Sequence, residues 1–205
     1  MKKIIKNVLD EMEKRSSLEK TKKVDISLED RMLAITMETG KFFNIMLRIM
    51  NAKNILEVGT STGYSTLWCA EAIQENFGKI ITIEKNPDKI IRARKNFEKA
   101  GVSEMVEIRE GMAEEVLLEL NNEGLQNHFD FVLIDSDKEG SIRYFDLILP
   151  LLRKNGMIAT DNILYPKKYR PEMQKFQNHI KNNPKVISVT VPIGNGEEIT
   201  LKIKN

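Results

Sequence analysis

From residue 54 the chain repeats one pattern: a short apolar run, a turn, then a longer stretch with apolar residues at helical spacing. Segments 54–58, 79–83, 105–109, 129–134 and 157–160 are the strand candidates, and helices are predicted over 64–76, 87–100, 112–121 and 139–152. Pro87 suits the first turn of its helix, and Gly101 the position just past its end. Phe129-Asp130-Phe131-Val132-Leu133-Ile134 is almost continuously apolar, as a central parallel strand covered on both faces should be. After a helix near 171–182, segments 186–191 and 197–203 alternate around Gly194-Asn195-Gly196, which predicts a closing β-hairpin. Residues 1–50 read as helical. There Ser27-Leu28-Glu29-Asp30 has the form of a capping box, Phe42, Phe43, Met46, Leu47 and Met50 recur at helical spacing, and Gly40 is placed between two helices.

This alternation predicts a doubly wound α/β fold, mostly parallel, with an antiparallel edge. One domain, 1–205, is expected, with a helical cap (1–50) on an α/β core (54–205). The chain has no internal repeat, low-complexity tract or linker rich in Pro, Gly or Ser. Ligands of such a sheet gather at the carboxyl ends of its strands.

Composition narrows the class. Hydrophobic residues at 41% and charged residues at 30% are ordinary for a soluble globular protein. No apolar run approaches the roughly 20 residues that span a bilayer. The N-terminus opens like a signal peptide, but Lys6, Asn7 and Asp10 break any apolar core. A single cysteine, Cys69, leaves no internal disulfide and fits a reducing, cytoplasmic setting. The net charge of +2 is unevenly spread: residues 1–23 carry +4, residues 163–185 carry +5, and the remainder −7. Two readings stand, solvated helix faces and loops or a basic rim that attracts an anionic acceptor, and charge alone does not choose between them.

Ile55-Leu56-Glu57-Val58-Gly59-Thr60-Ser61-Thr62-Gly63-Tyr64-Ser65 sets a glycine-rich turn between the first strand and its helix. Glycines let backbone approach a ligand, and a helix N-terminus offers N–H groups to an anion. The Gly-x-x-x-Gly spacing is not the Gly-x-Gly-x-x-Gly of dinucleotide binders, and no Gly-Lys-Ser/Thr follows to mark an NTPase phosphate loop. A methionine carboxylate is a suitable anion for Ser65 and the nearby N–H groups. Glu84, at the next strand end, is placed to accept hydrogen bonds from both ribose hydroxyls. Turn and acid together point to an adenosine ligand.

These stretches, Glu-Val-Gly-Thr-Ser-Thr-Gly-Tyr-Ser and then Thr-Ile-Glu-Lys-Asn-Pro, resemble the class I O-methyltransferases of the catechol and caffeoyl-CoA group, from about residue 34 to the C-terminus. The resemblance implies a Rossmann-like methyltransferase sheet, S-adenosylmethionine as methyl donor and a homodimer. It implies that Glu57, Gly59, Thr60 and Ser65 hold the methionine end and Glu84 the ribose. Ala113 would lie by the adenine, Ile35 would reach the cofactor from the preceding helix, and Asp135 would border it.

Asp135-Ser136-Asp137-Lys138 and Asp161-Asn162 follow the fourth and fifth strands, so neighbouring strand ends bring Asp135, Asp161 and Asn162 over one crevice. Oxygen donors without Cys or His favour a hard cation such as Mg²⁺, Ca²⁺ or Mn²⁺. The resemblance makes the same three residues the metal ligands and Lys138 the general base. A neighbouring cation favours the neutral form of such a lysine, whereas the ordinary alternative is a salt bridge to Asp137 or Glu139. His128, before a strand, and His179, on a helix face, are not needed as ligands.

The acceptor is less defined. Ile163–Pro171 would form a rim beside the metal, and Tyr165 and Tyr169 lie there among Lys and Arg. A small vicinal diol such as a catechol or its acyl-CoA ester is favoured, and a hydroxylated uridine in tRNA is the alternative. Two other classes are weighed. A dinucleotide-dependent oxidoreductase is opposed by the turn spacing and the all-oxygen cluster. A non-catalytic nucleoside-binding module is opposed by the presence of Asp135, Asp161, Asn162 and Lys138.

Overall fold

The computed structural model describes every residue except Lys22, Leu28 and Glu29, together with the side chain of Lys20. Its centre is a seven-stranded sheet in the order β3-β2-β1-β4-β5-β7-β6. The first five strands are β1 (Asn54–Val58), β2 (Lys79–Glu84), β3 (Val106–Glu110), β4 (Phe129–Ile134) and β5 (Leu152–Thr160), all parallel. The hairpin of β6 (Val186–Val191) and β7 (Glu197–Lys202) adds to β5 with β7 antiparallel. The predicted fold class therefore holds.

Side-chain alternation on the central strands divides the core in two. Ile55, Phe131, Leu133, Met157 and Ala159 pack on one face, under α1 (Lys3–Lys20), α2 (Met37–Ile49), α3 (Tyr64–Ile73) and α4 (Pro87–Ala100). Leu56, Val58, Val132, Ile134 and Ile158 pack on the other, under α5 (Ala113–Asn122), α6 (Ser141–Ile148) and α7 (Arg170–Lys181). This double cover explains why β4 carries so few polar residues.

The first 50 residues depart from expectation. Helix α1 ends at Lys20 and α2 starts at Met37, and the described residues between them are not helical. Gly40 does not separate two helices but lies inside α2, where an added Cβ would come 2.4 Å from Trp68 Cδ1. The glycine is there to let α2 approach α3, and tertiary packing outweighs its poor helix propensity. Leu28 and Glu29 of the expected capping box lie outside the described residues; Asp30 N–H does donate to Ser27 Oγ at 3.1 Å, although no helix follows. Helix α2 is capped instead by Thr36, whose hydroxyl accepts from Thr39 N–H. Further on, α3 is shorter than predicted and passes into a single 3₁₀ turn, and β5 begins five residues early, at Leu152.

The non-helical link is tied down by one buried carboxylate. Glu19, 2% exposed, accepts from Met32 N–H at 2.7 Å, Arg15 Nε at 3.0 Å and Arg92 at 3.1 Å. Arg92 also donates to the Asp30 carbonyl at 2.6 Å, so α1, α4 and the link share one latch. Burial opposes ionisation of Glu19, but the Met32 amide and the two arginines outweigh it and hold its carboxyl below the usual range. A lowered carboxylate contributes stability that is complete above its unfolded value and lost as pH falls through the folded one. Glu19→Gln should therefore cost about 1–3 kcal/mol at neutral pH, the value for charged hydrogen bonds. Denaturant titrations from pH 7 to 3 should show the wild-type advantage shrinking below about pH 4.5, near the unfolded glutamate value.

Candidate active site

The turn between β1 and α3 is built on close backbone contact. Gly59 has φ +105°, and a Cβ there would lie 2.0 Å from the carbonyl oxygen of Asp135, so only glycine fits. The amides of Gly59 and Thr60 both donate to the Ile83 carbonyl, which anchors the turn to β2. No side chain caps the start of α3, and its first-turn N–H groups have no carbonyl within the helix.

Glu57 and Ser65, expected at the methionine end of the cofactor, are bonded to each other. Buried Glu57 accepts from Ser65 Oγ, from Thr66 Oγ1 at 2.5 Å and from Thr82 Oγ1 at 2.6 Å; Thr82 in turn bonds Thr60 Oγ1 at 2.6 Å. Burial raises the Glu57 carboxyl above its usual range against the pull of the three hydroxyls. The pair braces the turn from within the fold, leaving backbone to face the crevice.

Glu84 closes β2 and is also held by backbone: it accepts from Ser61 N–H at 2.8 Å and from Lys85 and Asn86 N–H at 3.0 Å each. Its backbone carbonyl takes the Gly111 N–H, which brings Ala113, the first residue of α5, beside the same strand ends. Ile35 does not lie on a helix as expected. It is buried in the link just before α2 and lines a cavity of about 300 Å³ with Glu13, Met32 and Tyr64. Ser61 Oγ donates to the Met32 carbonyl at 2.5 Å, so this link lies against the glycine turn. Another cavity, about 680 Å³ beside Asn127, His179 and Lys202, opens at the opposite ends of the strands.

Asp135 and Asp161 are the first residues past β4 and β5, whose ends are in register at Ile134 and Thr160. Their amides continue the ladder, to Val58 O at 2.9 Å and Ile134 O at 3.1 Å. Asn162 takes φ +67°, and its N–H donates to Asp161 Oδ1 at 2.6 Å. Buried Lys138 places Nζ 3.6 Å from Asp135 Oδ1. The alternative pairing with Asp137 is not formed; that carboxylate accepts from Gly140 N–H and Tyr144 Oη instead. Burial and the charge of Asp161 raise the Asp135 carboxyl above its usual range, while Lys138 opposes the rise.

Sequence reasoning missed Glu197. It opens β7, is fully buried, and accepts from Thr39 Oγ1 at 3.3 Å. Burial first, and then Asp161 and Asp135, push its carboxyl well above the usual range. The available signal was indirect: pairing of β7 with β5 puts residues 197 and 198 level with the Asp161 end of that strand.

The donor set around Asp135 fits a hard divalent cation, being all oxygen and rich in buried negative charge. Among the described residues no three His, Cys, Asp or Glu side chains form a metal-binding group, so the fit rests on the two aspartates and the Asn162 amide.

An O-methyltransferase family model matches residues 9–204, so the relationship includes much of α1 and extends beyond the stretch from residue 34. The catechol O-methyltransferase of Niastella koreensis is 39% identical over 140 residues, which cover 68% of this chain and 62% of that protein. The caffeoyl-CoA O-methyltransferase of Mesembryanthemum crystallinum is 31% identical over 189 residues, covering 84% of this chain and 74% of that one. The crystal structure of the O-methyltransferase from Bacillus cereus in complex with SAH is similar with a TM-score of 0.78 at 28% identity, covering 96% of this chain and 90% of the other. With a family model over most of its length and a matching fold, the chain belongs to the S-adenosylmethionine-dependent O-methyltransferases of the catechol and caffeoyl-CoA group.

Proposed function

We propose that this chain moves the methyl group of S-adenosylmethionine to a hydroxyl of a small catechol-like or acyl-CoA acceptor, at a site that also holds Mg²⁺ or a similar cation. The observation that carries the reading is the grouping of Asp135, Asp161, Asn162 and buried Lys138 at two adjoining strand ends, with Asp135 backbone against Gly59. The turn backbone at Gly59 and Thr60 and the start of α3 receive the methionine end, with Glu57 and Ser65 bracing them. Glu84 receives the ribose, Ala113 borders the adenine and Ile35 walls the crevice.

Asp135, Asp161 and Asn162 would hold the cation, which lowers the pKa of an acceptor hydroxyl. Lys138 takes the hydroxyl proton, the oxygen forms a bond to the methyl carbon, and the carbon–sulfur bond breaks. The chain's main contribution is to hold oxygen, carbon and sulfur in line. A cytoplasmic homodimer is part of the same proposal. A second acceptor, hydroxylated uridine in tRNA, is favoured by exposed Tyr165 and by Lys168, whose Nζ lies 4.6 Å from the Tyr169 ring centroid. Labelled S-adenosylmethionine offered with catechols, acyl-CoA esters and undermodified tRNA separates the two; label in none of them rejects the transferase reading.

Three outcomes are expected at named residues. Glu84→Ala should weaken S-adenosylmethionine binding about 10–100-fold in calorimetry, as loss of charged hydrogen bonds does. Unchanged affinity would remove Glu84 from the ribose site. Chelation with EDTA, or Asp161→Ala, should stop turnover while cofactor binding persists; full activity without metal would reject the cation. Lys138→Met should lower single-turnover methyl transfer by about 10²–10⁴-fold, the usual worth of a general base, with metal and cofactor affinity retained. An unchanged rate and pH profile would leave acceptor activation to the cation alone.

A further inference from the structure

Glu197 stands outside every role described so far, yet it lies in the most acidic part of the molecule. It is fully buried on β7, its Oε1 takes the Thr39 hydroxyl at 3.3 Å, and its buried Oε2 has no hydrogen-bond partner. A buried carboxylate oxygen that finds no donor among the described residues is costly inside a fold and points to a ligand or a function. The place of Glu197 on β7 is level with the Asp161 end of β5, and the charges of Asp161 and Asp135 both act on its carboxyl. Among the described residues no lysine or arginine is bonded to it; Lys138 pairs with Asp135.

We propose that Glu197 is a third carboxylate of the cation site, joining Asp135, Asp161 and Asn162. This rests on the cation reading above. The three carboxylates do not form a ready-made metal-binding group. A divalent cation placed among carboxylates draws off their protons and gives them a shared positive charge to approach. A third carboxylate raises the ligand charge and, with it, the affinity for a hard cation. It also leaves fewer positions on the cation for acceptor oxygens and water.

The rival reading is a neutral Glu197 that only donates a hydrogen bond to Asp161. Glutamine keeps the shape and a donor but cannot supply a charge, so Glu197→Gln separates the two. Mn²⁺ binding is followed by electron paramagnetic resonance for wild type, Glu197→Gln, Glu197→Asp and Asp161→Asn, with calorimetry of S-adenosylhomocysteine binding to show that each variant is folded. Glu197→Gln should bind Mn²⁺ about 10–100-fold more weakly, the range for lost support of a metal site. Glu197→Asp should recover part of that loss, and cofactor affinity should hold. The Mn²⁺-induced rise in Tm should shrink in the same order. Wild-type Mn²⁺ affinity in Glu197→Gln overturns the assignment while leaving the cation reading intact, provided that Asp161→Asn binds weakly. Absence of Mn²⁺ binding to wild type overturns both.

Discussion

The contact between Gly59 and the carbonyl of Asp135 governs the geometry of the whole crevice. A turn that leaves β1 would normally clear the end of β4, but here the two backbones meet with no room for a Cβ. That approach sets the proposed methionine end of the cofactor beside the first acid of the proposed cation site. Register continues the effect outward. Asp135 N–H bonds β1 and Asp161 N–H bonds β4, so each strand end positions the next. The groups proposed to hold donor and acceptor are thereby aligned by ladder hydrogen bonds, a more precise support than a loop.

Such an alignment concentrates like charge. Glu57, Asp135, Asp161 and Glu197 all lie near the carboxyl ends of the central strands, and three of them have carboxyls raised by burial first and then by neighbouring acids, Glu84 in the case of Glu57. The fold answers each differently. Glu57 is surrounded by hydroxyls, Asp135 has Lys138, and Asp161 accepts its neighbour's amide. Among the described residues Glu197 has only the distant hydroxyl of Thr39. Buried charge of this kind is costly to keep for stability alone, which is why it points to chemistry.

Much of this was legible in the sequence because the signals were local. The parallel strands declare themselves by apolar runs between turns, and Asp135 and Asp161-Asn162 stand immediately after two of them. Gly59 was identifiable because its turn follows a strand and precedes a helix. The misreadings are non-local. Gly40 looks like a helix break, and only Trp68, 28 residues on, reveals it as a packing glycine. The start of β5 was missed because Arg153-Lys154-Asn155 reads as a polar turn, whereas Arg153 is bonded to Asp130 of β4. Glu57 and Ser65 each read as facing a ligand, and nothing in one sequence shows that they face each other. The resemblance implies a helix at Ile35, whereas the residue lies in the link just before α2.

The two lips of the crevice rest on opposite sides of the sheet. The link that carries Met32 and Ile35 is rooted in the core beneath α1–α4, whereas Ile163, Leu164 and Tyr169 of the other rim are rooted beneath α5–α7. Between them lies a wall of paired strands that transmits little side-chain repacking from one face to the other. Heritable change on the α7 side can therefore reshape the proposed acceptor rim while the proposed donor side keeps its own core. A protein organised in this way can diversify its chemistry one lip at a time.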